Sequence, residues 1–320
     1  MSHATLDRVL ALLVVGIGAT GLLSLKAGGP TASWVFVLHG LLGGALVAAT
    51  IWKLRRSVPR AVASGRWGRL VLALAVALLV AGALTGGFLW VAGGELLTVG
   101  SWTVLTLHAW LGLVLVPVMA VHLLPRRWRV ATTAPRNGVS RRTVLATGGL
   151  ALAGIAAFGV STLIEAARGG ARRFTGSRWL PAGGIPPSTT FYGEGPPSID
   201  PDAWRLTVGD RILDLAGLRA LGEVDMTAVL DCTSGWAIET TWRGVPLTAV
   251  LAIPERGSIR VRSITGWSTI LTADEARTAL LATAVAGQPL PVANGAPARL
   301  VVPRRRGLDW VKWVTRIEAA

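Results

Sequence analysis

The 320-residue sequence is poor in thiols, phenols and charge: it has one cysteine, one tyrosine and four histidines, and 15% of its residues are charged. A single cysteine excludes an intramolecular disulfide, and also a four-cysteine zinc site or iron–sulfur cluster built within one chain. Acidic residues are scarce too, 17 against 32 Lys and Arg, for a formal charge of +15. Such a balance can mark a nucleic-acid binder. Here the basic residues flank apolar runs, so no nucleic-acid partner is expected. All the histidines lie at positions 3, 39, 108 and 122, and none lies beyond residue 166. This removes a Cys–His nucleophile pair from the C-terminal half.

What the sequence has in excess is apolar residues, 52% of the chain, which points to membrane spans. Five apolar runs precede residue 166: about Val9 to Leu25, Trp34 to Trp52, Leu70 to Val91, Trp102 to Leu124 and Val144 to Leu163. Each is about 17–23 residues, long enough to cross a bilayer as a helix. Trp34, Trp52, Trp67, Trp90 and Trp102 stand near run ends, as an interfacial aromatic belt would. The connections KLRRSVPRAVASGRWGR and PRRWRVATTAPRNGVSRR are strongly basic, whereas KAGGPTAS and AGGELLTVGS carry almost no basic residue. The positive-inside rule therefore predicts a multi-pass cell-membrane protein with a cytoplasmic N-terminus and an extracytoplasmic C-terminal domain. The fifth run opens SRRTVLATGGLALAG. This reads either as a twin-arginine export signal or as an anchor with basic residues on its inner side.

Three segments follow: a transmembrane four-helix bundle over 1–130, a basic cytoplasmic loop and fifth helix over 131–166, and an α+β domain over 167–320. In the last, WRLTVGD, DMTAVLD, SIRVRSI, ARLVVP and WVKWVTRIEA read as strands. ADEARTALLATAV reads as a helix and RGVPLTAVLA as a shorter one. The run Arg304, Arg305, Arg306 reads as a solvated loop.

Ionisable residues inside spans mark function by default. His39 lies five residues after Trp34, and His108 six after Trp102. Both are then about 7–9 Å below the outer interface. Two imidazoles at one depth on two helices predict axial ligation of a haem b iron. Hydrogen bonding between helices, a quinone site and a proton relay are the alternatives. His122 follows His108 by fourteen residues, about 21 Å deeper on a similar face. A second haem would need a fourth ligand, and the only spare histidine, His3, precedes the first run. One haem is therefore expected, with His122 at an interface or in a quinone site. The layout resembles the haem-b bundles of cytochrome b561 and of membrane anchors for exported reductases.

Cys232 stands in DCTSGWAIETTWRGVPL. It reads as an inert buried thiol, a nucleophile without a histidine base, or a metal ligand; an exported domain disfavours an idle thiol. With RVRSITGW and NGAPARLVVPRRRGLDWVKWVTRIEA, this stretch resembles the molybdopterin-binding domain of the sulfite oxidase superfamily over roughly residues 170–320. The resemblance implies molybdenum ligated by the Cys232 thiolate, with further sulfurs from the molybdopterin. It implies pterin and phosphate contacts from Asn294, Arg299, Val311 and Lys312, with Tyr192, Thr189 and Thr265 as further contacts. Asn at 294 resembles the exported methionine-sulfoxide-reductase branch, where the sulfite-oxidising branch has His. An Arg-Asn-His motif of the sulfite site is missing from the sequence.

The resemblance implies oxygen-atom transfer on a small-molecule or protein-bound oxo substrate, with electrons exchanged with the quinone pool through haem b. An S-oxide or N-oxide reductase is expected. The alternatives are a sulfite-type dehydrogenase with reverse electron flow, and a cytochrome-b-like carrier whose outer domain only binds.

Overall fold

The computed structural model describes residues 2–65, 67–92, 97–100, 102–123, 140–168, 171–181, 183, 185–186 and 195–320. The chain forms two compact units. One comprises residues 1–24 and 31–176, the other residues 25–30 and 177–320.

The first unit is a bundle of α1 (His3–Ser24), α2 (Ser33–Ala63), α3 (Trp67–Ala92), a small hairpin of β1 (Thr98–Val99) and β2 (Trp102–Thr103), then α4 (Val104–Leu123) and α5 (Arg141–Arg168). All five helices are long and apolar enough to cross a bilayer, so the protein is a multi-pass membrane protein. Leu12, Leu78 and Leu163 are more than two-thirds exposed on the bundle surface, the side that lipid would cover. Val14, Leu46, Val76, Val80, Leu115 and Met119 meet inside.

Two helix boundaries differ from the hydropathy runs. α2 continues past Trp52 to Ala63, because Lys, Leu, Arg and Ala sustain a helix after hydrophobicity ends. α4 starts at Val104 rather than Trp102, since the Thr103 hydroxyl accepts from the Thr106 N–H at 3.2 Å and caps the helix.

The α2–α5 crossing is backbone-close. A Cβ added at Gly44 would lie 2.8 Å from Ala157 Cβ, one at Gly154 would lie 2.6 Å from the Leu41 oxygen, and one at Gly40 would lie 2.6 Å from the Phe158 ring. Gly40 and Gly44 thus form a small-xxx-small seam, the usual means of close helix approach in lipid.

The second unit is α+β. It contains β3 (Arg178–Trp179), β4 (Leu206–Val208), β5 (Arg211–Leu213), α6 (Leu215–Ala220), β6 (Val224–Asp231), β7 (Trp236–Pro246), α7 (Leu247–Val250), β8 (Ser258–Ser263), β9 (Ser268–Thr272), α8 (Ala273–Arg277), β10 (Leu280–Val285), β11 (Gln288–Pro289), β12 (Arg299–Val301) and β13 (Val314–Ala319). One sheet runs β11-β10-β7-β3, with β6 also on β7 and β12 also on β10; the other runs β5-β4-β13-β8-β9. The β3–β7 and β4–β13 pairs are parallel and the rest antiparallel.

The expected helix ADEARTALLATAV splits. A Thr272–Glu275 capping box starts α8, which ends at Arg277, and Leu280–Val285 is a strand. That strand lies in the sheet between β7 and β12 and is buried on both faces, with only Ala284 partly exposed, and such a strand reads as a continuous apolar run without period-two alternation. RGVPLTAVLA shortens likewise: Arg243–Pro246 belongs to β7, leaving one helical turn. Gly244 permits the contact of β7 with β10, where a Cβ would lie 2.0 Å from the Leu281 oxygen.

Substituting Gly154→Val should force α2 and α5 apart and cost about 1–3 kcal/mol. Thermal unfolding in mild detergent should register it, while Gly148→Val, which meets nothing within 4 Å, should leave the transition in place.

Candidate functional site

The hairpin between β6 and β7 presents Cys232. Asp231 is the last residue of β6 and pairs with Ala237 of β7. The Cys232 N–H donates to the Trp236 oxygen at 2.8 Å, and the Gly235 N–H donates to the Cys232 oxygen at 2.9 Å. Gly235 adopts φ 98°, which a side chain would strain. The thiol is half-buried.

Beneath the hairpin lies a sealed polar group. The Asp231 carboxylate, 1% exposed, accepts from Ser177 Oγ at 2.6 Å and from Arg306 Nη2 at 3.3 Å. The same nitrogen donates to the Cys232 carbonyl at 3.0 Å. Arg306 therefore braces the cysteine turn, and the expectation of a solvated Arg304–Arg306 loop is corrected. Arg304 alone is exposed. Arg305 pairs with Glu275 at 2.7 Å and Asp309 at 3.2 Å, and Arg306 is 3% exposed. The missed signal is Asp231: an acid closing an apolar strand must find a buried cation or hydrogen-bond donor.

Arg299 opens β12 at 3% exposure. Its guanidinium carbon stands 5.6 Å from the Trp242 ring centroid and 5.8 Å from that of Trp310, and those two indoles meet edge-to-face. Nη1 donates to the Asn294 oxygen at 2.9 Å, but the buried Nε has no hydrogen-bond partner among the described residues. Burial pulls the Arg299 pKa down to about 10, with Cys232 acting in the opposite sense. A desolvated cation with a spare donor calls for an anion.

The other resemblance-based residues divide. Asn294 is buried and donates from Nδ2 to the Pro186 oxygen at 3.3 Å. Lys312 donates to the Ala293 oxygen at 3.1 Å and lies 5.2 Å from the Trp313 ring centroid. Gly295, at φ 115°, lets the two loops touch: a Cβ there would lie 3.1 Å from both Arg299 Cβ and Lys312 Cα. The Val311 oxygen accepts from the Leu300 N–H at 2.8 Å. Asn294, Arg299, Val311 and Lys312 thus form one cluster, in which β12 belongs to the same sheet as the β6–β7 turn that carries Cys232. Thr265 is an exposed turn residue whose N–H and hydroxyl donate to Ser263 Oγ. Its neighbour Ile264 donates to the Trp313 oxygen at 3.0 Å. Tyr192 and Thr189 lie outside the described residues. No three His, Cys, Asp or Glu side chains converge among the described residues. A metal at Cys232 would therefore take its other donors from a cofactor.

In the bundle, the His39 and His108 rings have centroids 6.0 Å apart, at 79°. His108 Nδ1 lies 2.6 Å from the Ala83 carbonyl oxygen and must donate to it. Thr20 Oγ1 lies 2.8 and 3.0 Å from the backbone carbonyl oxygens of Gly16 and Ile17 and 2.9 Å from His39 Nδ1, so His39 Nδ1 donates whenever the hydroxyl proton is given to a carbonyl. His108 therefore carries its lone pair on Nε2, and His39 does so in that arrangement, as a metal ligand bound through Nε2 requires. Gly87 packs on the His108 ring, where a Cβ would lie 3.2 Å from Cε1.

Residues 192–320 match the family described as "Oxidoreductase molybdopterin binding domain". The chain is 35% identical over 121 residues to the protein-methionine-sulfoxide reductase catalytic subunit MsrP of Xanthomonas axonopodis pv. citri, covering 31% of this chain and 38% of that protein. It is 38% identical over 109 residues to the MsrP of Xanthomonas campestris pv. campestris, covering 28% and 34%. It is 27% identical over 157 residues to the uncharacterized oxidoreductase YuiH of Bacillus subtilis, covering 43% and 79%. The chain thus spans little over a third of the length of the two MsrP relatives. It combines a C-terminal molybdopterin oxidoreductase domain with an N-terminal multi-helix membrane bundle.

Removing the brace by Arg306→Leu strands a buried carboxylate and should cost about 3–5 kcal/mol. Arg304→Ala should change stability by less than about 0.5 kcal/mol. Denaturant unfolding followed by tryptophan fluorescence checks both.

Proposed function

We propose that the protein is a membrane-anchored molybdopterin-dependent reductase of S-oxides or N-oxides, fed with electrons from membrane quinol through a haem b. The observation that carries this reading is the buried, under-satisfied Arg299 on β12, in the same sheet whose β6–β7 turn presents Cys232. A single thiolate beside a sealed anion site fits a metal whose remaining ligands arrive on a phosphorylated cofactor. Arg299 and Lys312 would hold the phosphate, Asn294 the pterin edge, and Cys232 the metal, while Arg306 keeps the cysteine turn fixed. Thr189, Tyr192 and Thr265 would add contacts around the pterin.

When bound, the molybdenum cofactor supplies oxygen-atom transfer as a two-electron step. Reduction of a sulfoxide takes two electrons and two protons, and it yields a thioether and water. The bundle's part is to deliver those electrons singly. His39 and His108 would offer their Nε2 atoms, with Nδ1 of His39 hydrogen-bonded to the Thr20 hydroxyl and Nδ1 of His108 donating to the Ala83 carbonyl. A haem held there supplies one-electron transfer. Placing the basic connections in the cytoplasm puts the oxygen chemistry outside, with the 131–166 segment as the last crossing. The 35% identity to a methionine-sulfoxide reductase favours methionine sulfoxide as the first substrate to try.

Protein matured in a molybdenum-replete host should carry one molybdenum per chain. Cys232→Ser should abolish reduction of methionine sulfoxide; full activity in that variant, or no molybdenum in the parent, would sink the reading. His39→Ala and His108→Ala should each remove the reduced-minus-oxidised haem band and leave molybdenum content unchanged. Haem reduction on adding sulfite would instead favour a dehydrogenase working in the opposite direction.

A further inference from the structure

The bundle repeats a spacing. On α4, His122 follows His108 by fourteen residues, and on α2 Lys53 follows His39 by the same fourteen. Fourteen residues make nearly four helical turns, about 21 Å of rise, and return to a similar face. α2 and α4 therefore carry two matched levels, one holding two imidazoles and the other an ammonium and an imidazole.

A cavity of about 520 Å³ is lined by residues of this second level, within the usual range for a small-molecule site. Leu46, Val80 and Met119 contribute aliphatic wall, and His3, Asp7, Lys53, Arg60 and His122 contribute polar groups; of these Arg60 is exposed and hydrogen-bonded to His3. Lys53 is ion-paired and hydrogen-bonded to Asp7 of α1. An ammonium so held has no lone pair, so this level does not repeat the two-nitrogen clamp of the first. An anion would meet the Asp7 carboxylate beside Lys53. A neutral ring with an oxygen at each end fits better: the ammonium can donate to one oxygen, the imidazole N–H can donate to the other, and much of the wall is apolar. Leu46 is seven residues from His39, so the cavity reaches within about 10 Å of it along α2.

We propose that this cavity binds the ring of a membrane quinone, between Lys53–Asp7 and His122. The electron route above gives the site its purpose, but binding itself does not depend on haem.

Equilibrium dialysis of the full-length protein in mild detergent against 2-methyl-1,4-naphthoquinone tests this. One saturable site per chain is expected. His122→Leu, which deletes a polar contact, and Val80→Trp, which fills the cavity, should each weaken it at least about tenfold, the scale of one lost buried hydrogen bond. Molybdenum and haem content are measured on the same samples. Absent or non-saturable binding in the parent overturns the proposal, as does unchanged affinity in both variants. So does a second haem per chain that is lost in His122→Leu. Saturable quinone binding in protein without haem supports the cavity and removes only the haem part of the electron route.

Discussion

A guanidinium sealed between two indoles organises the C-terminal unit. Arg299 has almost no contact with water, so its charge must be answered within the fold. Trp242 comes from the central strand β7, Trp310 from the turn before β13, and the accepting carbonyl from Asn294. One side chain therefore gathers three separated pieces of sequence around the strand that leads away from Cys232. Backbone acceptors and aromatic faces satisfy it only in part, and its Nε has no hydrogen-bond partner among the described residues. Asp231 and Arg306 solve a similar problem at the cysteine turn, but there the charges cancel within the protein. The two arginines thus differ in counter-charge: Arg306 meets a buried carboxylate at 3.3 Å, whereas Arg299 meets a carbonyl and two indole faces.

Proton counting makes a parallel argument in the bundle. His108 is not free to choose its tautomer, because a carbonyl faces its Nδ1, and His39 adopts the same one when the Thr20 hydroxyl gives its proton to a backbone carbonyl. Two rings with bare Nε2 atoms cannot hydrogen-bond to each other through those atoms.

Much of this architecture is legible in the sequence. The five spans follow from run length, and β4, β6 and β8 from alternating patterns. The legible parts share one property: their burial is one-sided or uniform over a long stretch. β10 is not legible, because a strand buried on both faces has no polar face to reveal its period. The end of α2 is hidden for another reason, since helix propensity outlasts hydrophobicity at Lys53–Ala63. At the site, Cys232, Asn294 and Arg299 stand in motifs, whereas Arg306 looks like one member of a basic run. Which of three adjacent arginines is buried depends on Asp231, 75 positions away, and local patterning carries no trace of that distance. Lys53 is obscured in the same way: its match to His122 appears only once α2 is known to continue through it.

The glycine seam on α2 ties two properties of the chain together. Gly40 is the residue next to His39, and the Phe158 ring of α5 fills the space where its side chain would be. The azimuth of α2, and so the direction of the His39 imidazole, answers to two helices at once: Phe158 of α5 packs where a Gly40 side chain would be, and Thr20 of α1 meets the ring at Nδ1. Two spans more than a hundred residues apart thus share the aiming of one imidazole, and a bulkier residue at position 40 would disturb it without touching it.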